Sequence, residues 1–241
     1  MRNLNNSVIL ITGGSRGIGK ATCELFSQKA YTVLFTSRSS DNLSTLENEF
    51  KLKGAKDVRG YQFDIRDHNQ SVKLIETIKK DYNKIDILVN NAGIGIFNSA
   101  DDMKINEWEN VINTNLTGVF YITREVLPLM IEQQKGHIIN VGSLASRNTF
   151  SGGSAYCASK FGLLGFSECL MLDVRHHNIK VSIIMPGSVE TSFMDQSTEA
   201  DKDTWKLIAS DVAEAIYDVV NTRSGHLISR IELRPLKPQK N

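Results

Sequence analysis

Tyr156 and Lys160 stand four residues apart in a run, Tyr156 to His177, whose apolar spacing predicts a helix, so both side chains project from one face. Reducing a carbonyl requires an acid near the developing alkoxide, and an isolated tyrosine, with a pKa of about 10, gives up its proton poorly near neutrality. A neighbouring ammonium favours the phenolate. Lowering the phenol by about 3 units takes about 4 kcal/mol of differential stabilisation, which needs a close cation in a partly desolvated site. Upstream, Ser143 closes an apolar run, where its hydroxyl can hold a substrate oxygen against Tyr156. Asn115 sits inside a second helical run, Trp108 to Gln133. An asparagine there competes for backbone hydrogen bonds, and such a local cost marks a candidate site, with Asn113 as the alternative register.

A different chemistry is written near the N-terminus, in Thr12-Gly13-Gly14-Ser15-Arg16-Gly17-Ile18-Gly19. A turn this tight needs residues that tolerate unusual backbone angles, and a phosphate approaching the main chain needs positions without a Cβ. The helix beyond it offers free N–H groups and the positive end of its dipole to a pyrophosphate.

The elements that must position these residues alternate. Short β-branched runs at Ser7 to Thr12, Thr32 to Ser37, Val58 to Phe63, Ile85 to Asn90, Gly136 to Ser143, Lys180 to Met185 and His226 to Arg234 read as strands. Amphipathic runs between them, including Ile18 to Lys29, Gln70 to Asp81 and Asp211 to Asn221, read as helices. Strand–helix alternation predicts an α/β fold, a doubly wound parallel sheet of seven strands with helices on both faces. No repeat, low-complexity stretch or linker divides the chain, so one domain over residues 1–241 is expected. The segment from Pro186 to about Ala209 lacks clear periodicity and follows a strand's carboxyl end, which makes 187–209 a candidate substrate lid. Its charged residues Asp195, Glu199, Asp201, Asp203, Lys202 and Lys206 form no basic cluster.

Composition removes several function classes. With 241 residues, 41% hydrophobic, the chain can bury one sizeable core, and 28 basic against 27 acidic residues give a formal charge of +1, with no electrostatic footprint for nucleic acid or an anionic membrane. Cys23, Cys157 and Cys169 cannot all pair and lack metal spacing, so no metal and a reducing cytoplasm are expected. His176 and His177 close a helix, where positive charge suits the dipole.

Taken in order, Gly13-x-x-x-Gly17-x-Gly19, Asn90-Asn91-Ala92-Gly93 and Tyr156-Cys157-Ala158-Ser159-Lys160 resemble the short-chain dehydrogenase/reductase family, over the chain from its first strand to about Thr191. The resemblance implies a Rossmann-like oxidoreductase, a dimer or tetramer, acting on a small carbonyl or alcohol substrate with a nicotinamide coenzyme. It makes Ser143 and Tyr156 catalytic, with Lys160 beside Tyr156 and Asn115 positioning that lysine and a relay water. It places the coenzyme on Gly13, Ser15, Arg16, Gly17, Ile18, Gly19, Asp64 for adenine, Asn90, Ala92, Gly93, Tyr156 and Lys160. The segment Pro186, Gly187, Val189 and Thr191 resembles the part that receives the carboxamide. The C-terminus, Ile231-Glu232-Leu233-Arg234-Pro235, departs from the family's common Gly-rich ending.

The second strand ends Ser37-Arg38 with no carboxylate, and Arg38, Ser37 and Arg16 can hold a 2′-phosphate, which points to NADP(H). Asp41 is read as a helix cap. Two alternatives stand beside the reductase: a catalytically retired NADP-binding regulator, and an NAD-linked alcohol dehydrogenase of the same fold.

Overall fold

A computed structural model describes residues 7–191 and 205–237. Seven strands form one parallel sheet in the order β3-β2-β1-β4-β5-β6-β9, with β1 Val8–Ile11, β2 Thr32–Ser37, β3 Asp57–Gln62, β4 Ile87–Asn90, β5 Gly136–Val141, β6 Ile179–Pro186 and β9 Arg230–Leu233. Every pairing in it is parallel. Two short strands, β7 Val189–Glu190 and β8 Leu207–Ile208, pair separately and bracket the segment between them.

Residue alternation sorts the strands' side chains onto two faces, both covered by helices, which is why these strands read as continuous apolar runs. Val8 and Leu10 of β1, Leu88 and Ile138 join the core beneath α3 His68–Tyr82, α5 Gly118–Glu132 and α6 Ser154–Val174. Ile9 and Ile11, with Val33, Phe35, Val89 and Ile139, face α1 Gly17–Gln28, α2 Leu43–Leu52 and α7 Ala209–Val220. The edge strand β3 is only half-buried.

Element ends follow local chemistry, with three departures from the sequence reading. Asp67 caps α3, accepting from the Asn69 and Gln70 N–H groups, and Asn83 ends it in the left-handed region at φ 56°. The helix expected over 108–133 is broken. It consists of α4 Ile105–Ile112, a π-helical turn Asn113–Thr117 and α5, and the wide turn falls on the residue singled out in that run, Asn115. Asp41 is not a cap: α2 is preceded by Asn42, whose side chain makes no capping bond, and the Asp41 N–H instead donates to Ser39 Oγ at 3.1 Å. The last strand is shorter than expected, pairing with β6 only over Arg230–Leu233. Among the described residues no helix is long and apolar enough to cross a membrane.

Candidate active site

The glycine turn lies at the carboxyl edge of the sheet between β1 and α1. Gly13 and Gly17 have φ of +68° and +54°, left-handed conformations that glycine adopts at least cost. A Cβ on Gly19 would sit 2.1 Å from the Gly13 carbonyl oxygen, so the first turn of α1 can close only on glycine. Arg16 is the extended residue before α1; no side chain caps that helix and no acid occupies its first turn. Its N-terminal N–H groups therefore present donors and positive dipole to an anion, the chemistry a pyrophosphate needs. Ser15 is half-buried and Arg16 exposed at its rim, Ile18 packs on the α1-side core, and Ser37 is buried with Arg38 exposed just after it.

The end of β4 holds this turn in place through the second asparagine of the Asn90-Asn91 pair. Asn90 is 1% exposed and turns inward, its amide donating to Thr123 Oγ1 at 3.0 Å and Asn140 Oδ1 at 2.8 Å. Asn91 faces the turn instead, donating to the Thr12 and Gly13 carbonyls at 3.0 Å each. Thr12 Oγ1 accepts from the N–H groups of both Asn91 and Ala92, and Thr36 Oγ1 accepts from Gly13 N. Successive strand residues point to opposite faces, so that alternation was the available signal that only one asparagine of the pair could reach the turn. The Asn90 side chain is thus committed to the fold between β4, β5 and α5.

Around Tyr156 the remaining chemistry converges. Ser143 follows β5 and its hydroxyl accepts from Ala145 N at 3.1 Å while hydrogen-bonding the Tyr156 phenol. Lys160, 6% exposed, donates to the Val141 carbonyl at 2.9 Å, with its Nζ 5.7 Å from the centre of the Tyr156 ring. Asn115 clamps the backbone of Ile94 in both directions, accepting from its N–H at 2.8 Å and donating to its carbonyl at 2.9 Å, and also donates to Ser159 Oγ at 3.1 Å. The wide π turn is what aims this side chain away from its own helix and across to the β4 loop and α6. A Cβ on Gly93 would lie 3.3 Å from Asn115 Oδ1 and 3.9 Å from Lys160 Nζ, so glycine keeps that loop close to the lysine.

The electrostatics differ from the expectation of a phenol lowered by its lysine. Burial pushes Tyr156 above its ordinary value, although the Ser143 hydroxyl pulls the other way. Burial also lowers Lys160 to about 8. Desolvation disfavours the charged form of each, and Lys160 is directed at a carbonyl.

Asp64 is held by Arg66, whose Nε lies 2.9 Å from Oδ1, and whose other branch donates to Asn110 Oδ1 at 2.7 Å; this pairing keeps the Asp64 carboxyl below its usual range. The two residues line a polar cleft of about 380 Å³ with Asp67, Gln70, Glu109 and Asn113. Pro186 ends β6, and Gly187 donates its N–H to Leu233 O at 2.8 Å. Val189 packs on the α1-side core, and a Cβ on Gly17 would meet Thr191 Cγ2 at 3.4 Å, so that segment lies across the glycine turn. Most of the 187–209 segment, including Phe193 and Met194, lies outside the described residues. Arg147 pairs with Glu232 at 3.0 Å. Among the described residues no cluster of histidine, cysteine and carboxylate side chains could hold a metal.

Comparison with known proteins identifies the family. The chain is 38% identical over 201 residues to a 3-oxoacyl-acyl-carrier-protein reductase of Thermotoga maritima, covering 83% of this chain and 81% of the relative. It is 31% identical to an NADP-dependent 3-hydroxy acid dehydrogenase of Schizosaccharomyces pombe, covering 95% and 92%. A solved closed form of serine dehydrogenase complexed with NADP+ superposes with a TM-score of 0.87 at 32% identity, covering 94% of each chain. The family model described as short chain dehydrogenase matches residues 7–203, and the chain belongs to that family.

Proposed function

We propose that this protein is an NADP(H)-dependent oxidoreductase that interconverts a ketone or aldehyde and its alcohol. The observation that carries the reading is the meeting of the Ser143 hydroxyl, the Tyr156 phenol and the Lys160 ammonium beside the β4 loop, at the sheet edge that also carries the glycine turn. NADPH, when bound, supplies the hydride. The α1 N-terminus fits its pyrophosphate, Arg38, Ser37 and Arg16 its 2′-phosphate, Asp64 its adenine, and Val189 and Thr191 its carboxamide.

Ser143 holds the substrate oxygen, and Tyr156 gives that oxygen its proton. A phenol raised by burial is a reluctant donor in isolation. Lys160, with a value of about 8, is mostly protonated at pH 7, and its charge favours the phenolate left behind. Asn115 fixes the β4 loop against α6 and so positions the lysine's surroundings. The relatives' names bring 3-oxoacyl compounds, 3-hydroxy acids and serine into the candidate substrates.

NADPH oxidation followed across a panel of carbonyl compounds tests the reading. Tyr156→Phe is expected to lower kcat by about a thousandfold while NADPH binding stays within a few fold; a variant retaining half of kcat overturns the proposed acid. Wild-type kcat/KM is expected to favour NADPH, and Arg38→Asp to move preference toward NADH by removing an attraction and adding a repulsion. Equal or better wild-type performance with NADH overturns the coenzyme. The outer faces of α5 and α6 expose Phe120, Phe161 and Leu172, which supports a homodimer or homotetramer through these helices. Light scattering at micromolar concentration is expected to report one, and a monomer removes the oligomer alone.

A further inference from the structure

Two loops converge over the reacting tyrosine, one leaving β4 and one following Ser143, and each delivers a phenylalanine. Phe97 meets Tyr156 edge to face, with ring centres 5.5 Å apart and planes at 70°. Phe150 lies 5.6 Å from Phe97 at 54° and is 47% exposed. This second ring is accommodated by a specific residue: a Cβ on Gly153, just before α6, would lie 2.7 Å from the Phe150 ring carbons, so a glycine there lets the ring rest against the start of the helix that carries Tyr156. The first loop is equally fixed, because Asn115 grips Ile94 by both backbone groups.

The wall so formed is uncharged. Arg147, the cation that follows Ser143 most closely in sequence, is turned to Glu232 at 3.0 Å, and Lys160 is buried and bound to the Val141 carbonyl. Aromatic rings present a negative face and a positive edge, and they favour another ring or a broad apolar group packed against them. A carboxylate packed against these two rings gives up hydration that neither ring replaces.

We propose that Phe97 and Phe150 are specificity-determining residues for this reaction, selecting carbonyl compounds whose substituent beside the reacting carbon is an uncharged aromatic or broad apolar group over those that carry a carboxylate. The inference rests on the oxidoreductase reading above and names the substrate class of that same site. Phe97 does so directly beside Tyr156, and Phe150 extends the surface outward.

Four matched compounds separate the contributions: ethyl 3-oxo-3-phenylpropanoate and its free acid, and ethyl 3-oxobutanoate and its free acid, each assayed with NADPH. The esters are expected to exceed their acids at least about tenfold in kcat/KM, and the phenyl ester to exceed the methyl ester about tenfold. Phe97→Ala is expected to erase the phenyl advantage through KM, with Phe97→Leu, which keeps bulk and loses the ring, intermediate. NADPH affinity measured by fluorescence, unchanged within about twofold, reports that each variant is folded. Acids outrunning esters overturn the proposal, as does a Phe97→Ala variant that lowers all four substrates by one common factor, since that is the mark of support for Tyr156 alone. Absence of turnover of all four, in protein that oxidises NADPH with another carbonyl of the panel, overturns this inference alone; absence of turnover across the whole panel with either coenzyme refutes the oxidoreductase reading and this inference with it.

Discussion

Two lysines are buried in this molecule to nearly the same degree, and they are treated in opposite ways. Lys180, 7% exposed, lies at the beginning of β6, away from the glycine turn, and its ammonium reaches Thr222 Oγ1 at 2.9 Å, Arg223 O at 2.8 Å and His226 O at 2.5 Å. All three of its protons are placed, and they tie the chain after α7 to the sheet. Lys160, 6% exposed, makes one hydrogen bond among the described residues, to Val141 O. Burial of a charge is common to both; what separates them is how far hydrogen bonds replace the lost water. Lys180 is a structural cation, and Lys160 keeps donors in reserve at the edge where the chemistry is proposed.

The comparison is most sharply tested by removing each charge. Lys160→Met is expected to lower kcat/KM by about a thousandfold or more, while Lys180→Met leaves turnover per folded molecule near wild type, measured as initial rates normalised to active sites. A large kinetic loss from Lys180→Met would dissolve the distinction. In stability the order reverses. Lys180→Met strips a hydroxyl and two carbonyls of their donor and is expected to cost about 2–3 kcal/mol in urea unfolding, at about 1 kcal/mol for each bond.

The smallest effect carries the most information about Lys160. Its folded value of about 8 against an ordinary 10.5 means that, between those pH values, the unfolded chain holds more protons than the folded one. Stability supplied by this group is therefore full above about pH 10.5 and is lost as pH falls through about 8, a difference of about 3 kcal/mol. Lys160→Met loses the Val141 contact but escapes this penalty, so it should be about 1–2 kcal/mol more stable than wild type at pH 7, with the advantage shrinking at pH 9 and 10. Urea midpoints of the two proteins that stay parallel across that range would show that Lys160 is not held at a depressed value.

Much of this architecture was legible in the residues themselves. The strands were found because both faces of the sheet are covered, which turns a stretch such as Val8–Ile11 into an unbroken apolar run. The positions of Tyr156, Lys160 and Ser143 followed from spacing and from the helix and strand ends that carry them. The break at Asn113–Thr117 was not legible, because one widened turn hardly alters the apolar period of a helix. Nor was the direction of the electrostatic shifts at Tyr156 and Lys160, since desolvation depends on what distant segments cover. The Asp64–Arg66–Asn110 link joins side chains from separate elements, which sequence spacing does not bring together. Asn91 could have been found by alternation from Asn90; the hold of Asn115 on Ile94 could not, because it spans two loops.

The small pair of strands β7 and β8 has a consequence for how this protein can be altered. Val189 pairs with Leu207 and Glu190 with Ile208, so the two ends of the intervening stretch are moored side by side on the body of the molecule. Chain closure there is already enforced by the moorings, and doubling the length between them costs only about 0.6 kcal/mol. The number of residues joining Glu190 to Leu207 can therefore be changed, by an engineer splicing in longer or shorter versions, at little cost to the sheet and helices on either side of the moorings.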